Sequence, residues 1–283
     1  MMVRVVCDSS NSLPDDLISR LNITEIPALV NVATPQGIKS YRNKIELSIE
    51  EFYQILLSDN KLPTTSQPTP QHFADAFRAL PGDDDILCIT VSSALSGTYA
   101  SAIAAVELAP DRKITVWDAK GASMDSGWQI VVAAEMAQQG ASLADIMAKL
   151  PIVRDNTHTF FTTETLKYLA ASGRVPRLSA GIGNLLDVKP ILRFMHDGTI
   201  QPIARVRGRK RSLEDIINRA QEIFGERPVR VAVVNARCAP EAERFNSEVR
   251  QRLHVVDVQV IEIGPVLAAL AGPGAMGLAI YAL

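Results

Sequence analysis

The chain is predicted to fold as a two-domain α/β protein, with a parallel-sheet βαβ domain first and an α/β domain with mixed or antiparallel sheet second. Three observations carry that prediction. Through the first half, short apolar runs ending in turn residues alternate with longer segments of helical periodicity, the pattern of βαβ units. Near Thr157 the texture changes to more closely spaced strands with a hairpin signal. A length of 283 residues, 47% of them hydrophobic and 21% charged, is too great for one small core and suits two domains of ordinary size.

Taken in order, strands are expected at about Val3 to Cys7, Ile23 to Val32, Ile86 to Val91 and Ile114 to Trp117. Ser12-Leu13-Pro14-Asp15 and Ser48-Ile49-Glu50-Glu51 both have capping-box spacing, in which a serine oxygen and a carboxylate satisfy orphan amides of a first helical turn. Leu80-Pro81-Gly82-Asp83 ends a further helix. In the second half, strands are expected around Thr159 to Thr163, Val188 to Phe194, Thr199 to Ala204, Val229 to Val234 and Val255 to Ile263. His196-Asp197-Gly198-Thr199 lies between two apolar runs and predicts a hairpin, hence antiparallel pairing. The boundary is placed at residues 150–157, near Pro151 and Asn156, giving domains 1–155 and 156–283.

Composition excludes several classes of function. A net charge of −2 leaves no electrostatic footprint for nucleic acid. Cys7, Cys88 and Cys238 are far apart and odd in number, with no C-x-x-C spacing, so neither a disulfide frame nor a zinc site is expected. No apolar stretch is long enough for a signal peptide or a membrane span, which points to a reduced, cytoplasmic compartment. The G-x-S-x-G elbow, H-E-x-x-H and the Walker loop are all missing from the sequence. His72, His158, His196 and His254 are scattered singly and are expected to be structural, since none has the neighbours that nucleophile-base chemistry requires. No catalytic residue, metal or cofactor is assigned.

What the sequence does advertise is hydroxyl groups at strand-to-helix junctions. Pro63-Thr64-Thr65-Ser66-Gln67-Pro68 and Ser92-Ser93-Ala94-Leu95-Ser96-Gly97-Thr98-Tyr99 are expected to form turns leading into helices. Asp8-Ser9-Ser10-Asn11-Ser12 and Asp118 also follow predicted strands. In a doubly wound sheet, ligands gather beyond the carboxyl ends of the strands. There a helix N-terminus offers unpaired amides and partial positive charge, so an anion is held without Lys or Arg. Plain helix capping is the ordinary role for each such cluster taken separately.

Two further segments stand out. Gly272-Pro273-Gly274-Ala275-Met276-Gly277 formally matches G-x-G-x-x-G but has only six residues after it, so it fails the dinucleotide context. It is read as a glycine turn feeding a short terminal helix, with amides free for an anion. Arg205, Arg207, Arg209, Lys210 and Arg211 form the only dense basic run, either a docking face shared with Arg174 or a solvated turn before a helix starting near Ser212.

These residues, in order, resemble one family. Asp8-Ser9-Ser10-Asn11-Ser12-Leu13-Pro14, the Thr65 and Ser93 loops, Gly173-Arg174-Val175, Val188-Lys189-Pro190-Ile191-Leu192, Asp197-Gly198 and Gly272-Pro273-Gly274-Ala275 are similar to motifs of the DegV family of bacterial fatty-acid-binding proteins. The resemblance implies a non-enzymatic carrier that encloses one long-chain fatty acid between its domains, the second domain closing an apolar tunnel. It implies that Thr65 and Ser93 hold the carboxylate, with Ser92, Ser66 and Ser96 nearby and Leu270, Gly272 and Gly274 as terminal-loop contacts. It also implies presentation of the acid to a fatty acid kinase, with Arg174 and Arg207 in segments facing that partner.

One position departs from the pattern, because Leu270 stands where the family commonly has a histidine before the glycine turn. Leucine donates no hydrogen bond, so either the head group is held differently or the ligand is not a free fatty acid. Two other classes of function stay open beside the carrier. One is a serine-dependent acyl hydrolase using Ser93 or Ser96, and the other is a regulatory docking module built on the run from Arg205 to Arg211.

Overall fold

The computed structural model describes residues 2–58, 61–175 and 187–283. The chain divides into two compact units, one of residues 1–155 with 264–269, the other of residues 156–263 with 270–283. Both are α/β, a parallel four-stranded sheet in the first and a mixed six-stranded sheet in the second.

In the first unit, β1 (Val3–Asp8), β2 (Thr24–Ile26), β6 (Asp85–Thr90) and β7 (Ile114–Asp118) form an all-parallel sheet in the order β2-β1-β6-β7. The chain runs outward from β1 to β2 on one side and from β6 to β7 on the other. The switch point, where a doubly wound sheet opens a crevice, therefore falls between β1 and β6. Phe73, Phe77, Val6, Ile86 and Cys88 are completely buried in one core cluster of this unit. Burying each phenylalanine contributes about 2–3 kcal/mol.

A small antiparallel sheet, β4 (Gly37–Arg42), β3 (Leu29–Thr34) and β5 (Thr64–Ser66), completes the strands of this unit. It corrects two expectations. The run from Ile23 to Val32 is two strands in two sheets, because Pro27 between them has no N–H for a ladder. Thr64 to Ser66 is a strand paired with Leu29 to Asn31 and not a turn.

The helices of this unit are α1 (Asp15–Arg20), α2 (Ile49–Leu57), α3 (Pro70–Ala79), α4 (Thr98–Leu108), α5 (Met124–Gln138) and α6 (Leu143–Asp155). The Ser48 capping box forms as expected, with reciprocal bonds to Glu51. The Ser12 box does not, since α1 begins after Pro14 without a side-chain cap and Ser12 has φ 59°. Its hydroxyl accepts from Ser123 Oγ instead. Helix α6 carries straight through Pro151, and the division between units follows its last residue, Asp155.

The second unit has the strand order β10-β9-β8-β13-β11-β12. These strands are β8 (Thr157–Thr162), β9 (Val188–Phe194), β10 (Ile200–Arg207), β11 (Val229–Asn235), β12 (Val255–Glu262) and β13 (Met276–Ala282). The hairpin β9-β10 turns at Asp197-Gly198, with Gly198 at φ 85° and the Asp197 carboxylate accepting from Thr199 N at 2.9 Å. Helices α8 (Arg209–Phe224) and α9 (Ala239–Arg252) bury Leu213, Ile216, Ile217, Phe224, Phe245 and Val249 against this sheet, at the three- and four-residue spacing of an apolar stripe. The short helix α7 (Lys167–Ser172) ends at Gly173 in the left-handed conformation, and α10 (Pro265–Ala271), of which residues 265–269 belong to the first unit, precedes the last strand.

Two expectations fail in this unit. Residues after the glycine turn form no helix, because β13 runs antiparallel between β8 and β11 with all seven residues buried. A strand covered on both faces reads as an unbroken apolar run, which its sequence Met-Gly-Leu-Ala-Ile-Tyr-Ala shows. The basic run is not a solvated turn either: Arg205 and Arg207 lie on β10, and Arg209, Lys210 and Arg211 open α8. Arg209 pairs with Glu241 at 2.7 Å.

Gly272 has φ +74°, and a Cβ there would lie 2.1 Å from the Tyr168 ring. Gly272→Ala should therefore cost about 2–4 kcal/mol in a chemical denaturation curve, whereas Gly82→Ala, with nothing within 4 Å, should cost under about 1 kcal/mol. His158 is half-buried against Phe224, with Nδ1 beside Arg193. Burial, then the charge of Arg193, lowers its pKa from 6.5 to about 4. The unfolded chain takes up this proton first, so the contribution is intact above pH 6.5 and is lost as pH falls toward about 4. Discounted for solvent screening, the loss is about 1–2 kcal/mol. His158→Phe should flatten thermal stability over that window relative to the wild type.

Candidate functional site

At the carboxyl edge of the parallel sheet, two aspartates end the strands that flank β6. Asp8 is the last residue of β1, and its Oδ2 accepts from Val91 N at 2.7 Å while Oδ1 accepts from Ser10 N at 2.9 Å. Burial pushes this carboxyl up, partly offset by those amide bonds. Asp118 is the last residue of β7, and its Oδ1 accepts from Ser93 N at 3.2 Å and Lys120 N at 3.0 Å. Burial alone would raise Asp118, but hydrogen bonds from Ser93 and Lys120 outweigh it and hold the group below the ordinary aspartate value. The loop leaving β6 is thus gripped from both sides, at Val91 and at Ser93.

Within that loop the serines have separate jobs. Ser92 is completely buried, and its oxygen accepts from Ala94 N at 3.2 Å while its amide donates to Gly121 O at 2.9 Å. Ser96 Oγ accepts from Thr98 N at 3.3 Å and bonds to Thr98 Oγ1 at 2.9 Å, organising the start of α4. Ser93 is exposed, and its Oγ accepts from Lys120 Nζ at 3.2 Å. Lys120 Nζ also pairs with Asp118 Oδ2 at 2.9 Å. Lys120 itself has φ 55°, a left-handed conformation uncommon for a lysine. Sequence reasoning missed this residue, although the Asp-x-Lys spacing directly after a predicted strand was available as a signal.

The second hydroxyl loop adjoins the first. A Cβ on Gly97 would lie 2.7 Å from Gln67 Nε2, so the residue after Ser96 packs against the residue after Ser66. In β5 the pleat sends Thr65 and Ser66 to opposite faces. Thr65 pairs with buried Val30, whereas the Ser66 hydroxyl accepts from Asn31 Nδ2 at 3.2 Å. The loop after β1 is a closed network instead. Ser9 Oγ accepts from Ala28 N at 3.0 Å and Asn43 Nδ2 at 2.9 Å, and Asn43 Oδ1 accepts from Val266 N at 3.2 Å.

In the second unit, Leu270 is half-buried and Gly272 is buried at the turn before β13. The Gly274 amide is not free for an anion, since it donates to Ala236 O at 2.7 Å. A Cβ on Gly274 would meet Glu164 Cβ at 2.9 Å, and Glu164 is paired with buried Lys189. Arg174 is half-buried, with its guanidinium on Ser172 O at 2.6 Å, and Arg207 is exposed at the end of β10.

His72, the single histidine of the first unit, completes the Thr69 capping box of α3. Among the described residues no cluster of three metal-ligating side chains occurs, and no helix is long and apolar enough to cross a membrane.

Residues 2–283 match the family model described as "Uncharacterised protein, DegV family". A DegV domain-containing protein of Staphylococcus aureus is 32% identical over 282 residues, which is 98% of this chain and 96% of that protein. Among solved structures, a DegV family protein from Thermus thermophilus, described for its fatty acid binding, aligns with a TM-score of 0.92 at 32% identity and covers 100% of both chains. A stearic-acid-binding protein from Eubacterium ventriosum aligns with a TM-score of 0.90 at 27% identity, covering 99% of this chain and 98% of that one.

The two serine environments predict opposite responses. Ser9→Ala leaves the Ala28 amide without its buried acceptor and Asn43 Nδ2 with only the Ser9 carbonyl, and should lower stability by about 1–3 kcal/mol. Ser93→Ala, at an exposed hydroxyl, should change it by under about 0.5 kcal/mol. Urea melts of both variants against the wild type would measure the contrast, and equal losses would contradict this division of roles.

Proposed function

The chain belongs to the DegV family, and from that premise we propose that it binds one long-chain fatty acid as a carrier, its carboxylate met by the hydroxyls of Thr65 and Ser93. The single observation that carries this reading is the abutment of the two hydroxyl loops through Gly97 and Gln67, beside the sheet's switch point. Relatives across the full chain length that bind fatty acid support it. Ser92, Ser66 and Ser96 serve mainly to hold the loops in place, Ser92 and Ser96 through bonds within their own loop and Ser66 through Asn31 on β3.

Affinity and orientation have different sources. Burying an acyl chain of roughly fifteen methylenes is worth on the order of 10 kcal/mol before association costs. The carboxylate, by contrast, loses hydration, and without donors that loss is several kcal/mol. The hydroxyls therefore offset a penalty and set direction. With Leu270 at the family's histidine position, the donors around Ser93 carry more of that task.

A serine hydrolase is the weaker reading. Ser93 has an ammonium beside it, and that ammonium is already paired with Asp118, so it is a poor general base. Stoichiometric labelling of Ser93 or Ser96 by a fluorophosphonate would reverse this preference. We further read Arg174 and Arg207 as part of a face presented to a fatty acid kinase. Arg207→Glu should then weaken co-purification with such a kinase while leaving lipid binding intact.

Native mass spectrometry of freshly purified protein should show an adduct that organic extraction identifies as a long-chain fatty acid. Thr65→Val combined with Ser93→Ala should weaken fatty acid binding by about tenfold to a hundredfold, on the scale of one or two lost hydrogen bonds to a charge. The matching fatty alcohol should suffer much less. Equal losses for acid and alcohol would rule out carboxylate recognition by this pair.

A further inference from the structure

The fatty acid reading leaves one charged group near Ser93 without a role. Lys120 follows β7 by two residues and is held there by three contacts. Its amide donates to Asp118 Oδ1 at 3.0 Å, its ammonium pairs with Asp118 Oδ2 at 2.9 Å, and the same ammonium donates to Ser93 Oγ at 3.2 Å. The backbone adopts φ 55° to allow this, a conformation that costs a lysine free energy and that the surrounding bonds must hold. Ala119 N to Thr90 O at 3.1 Å and Ser92 N to Gly121 O at 2.9 Å tie the 118–121 segment to the loop after β6 on both sides.

The proton arithmetic of this cluster gives Lys120 a purpose. Each oxygen of Asp118 is engaged, Oδ1 by two amides and Oδ2 by the ammonium. Ser93 Oγ accepts from Lys120, and its own side-chain bond goes to the Asp118 carboxylate. An ammonium has three N–H groups, and Asp118 and Ser93 use two of them. The Lys120 side chain is 32% exposed, which leaves the third within reach of a ligand. The ion pair alone is neutral overall. Its effect is to fix the direction of the remaining ammonium N–H beside Ser93.

We propose that Lys120, anchored by Asp118 beside Ser93, donates its remaining ammonium N–H directly to the anionic head group, making it a specificity determinant for acid over neutral lipid. This rests on the fatty acid reading and deepens it. It also supplies a donor to a chain whose Leu270 cannot provide one. A lysine present only to support the loop would affect all ligands alike, whereas a lysine that meets the anion affects the acid alone.

The test compares palmitic acid and hexadecanol, each titrated into the full chain as wild type, Lys120→Met and Lys120→Arg, with a thermal melt of every variant. Lys120→Met should lose about tenfold in acid affinity, the size of one hydrogen bond to a charged group, with hexadecanol within about twofold and the melting temperature lowered by only a few degrees, about the worth of one partly exposed ion pair. Lys120→Arg should recover most of the acid affinity. Acid affinity unchanged in Lys120→Met, or equal losses for acid and alcohol, would overturn the assignment while leaving the carrier reading in place. Wild-type protein that binds neither lipid would remove the carrier reading and this inference with it. If Lys120→Met fails to fold, the acid-to-alcohol ratio in Lys120→Gln decides on the same terms.

Discussion

Where a parallel sheet ends, backbone amides lose the neighbouring strand that had accepted from them, and a buried amide without an acceptor is costly. In this protein Asp8 and Asp118 supply the acceptors, one from each strand beside β6. Their placement fixes Val91 and Ser93, and the path of the loop toward α4 follows. The grip is made by side chains at strand ends, which ties the loop to the sheet at two points. A hydroxyl meant to meet a ligand in one direction needs that kind of support.

The same carboxylates are used unequally. Asp8 is buried, and burial pushes its carboxyl up. The segment from Asp8 to Leu13 also binds its own hydroxyls to Ala28, Asn43 and Ser123, which makes it scaffold. Asp118 lies closer to solvent beside Lys120 and Ser93, where hydrogen bonds hold its carboxyl down. Two strand ends with similar sequence character thus divide into a closed structural knot and an open polar edge. Number and burial of partners decide which is which.

Much of this was legible in the residues. The βαβ alternation, the Ser48 capping box, the Asp197-Gly198 hairpin and the strands ending near Cys7, Val91 and Trp117 all depend on local periodicity or on turn chemistry, and those survive folding. The errors share a different cause. Ser12 has capping-box spacing, yet its hydroxyl bonds to Ser123, more than a hundred residues away. Thr64 to Ser66 looks like a turn until β3 is placed beside it. The G-x-G-x-x-G segment suggested helix because its glycines drew attention, while the buried run behind them is the strand between β8 and β11.

By itself the sequence determined the fold class, the motif order that marks the family, and the presence of hydroxyls just beyond strands, since these are written in spacing and residue type over short stretches. Only the tertiary structure decided which hydroxyl is spent and which is offered. Ser9, Ser66, Ser92, Ser93 and Ser96 are chemically equivalent in a linear chain, and they became different only when Ala28, Asn31, Ala94, Lys120 and Thr98 were brought beside them. Hydrogen bonding is short-ranged and directional, so for Ser9, Ser66 and Ser93 the partners are fixed by the packing of distant segments, while Ser92 and Ser96 bond within their own loop.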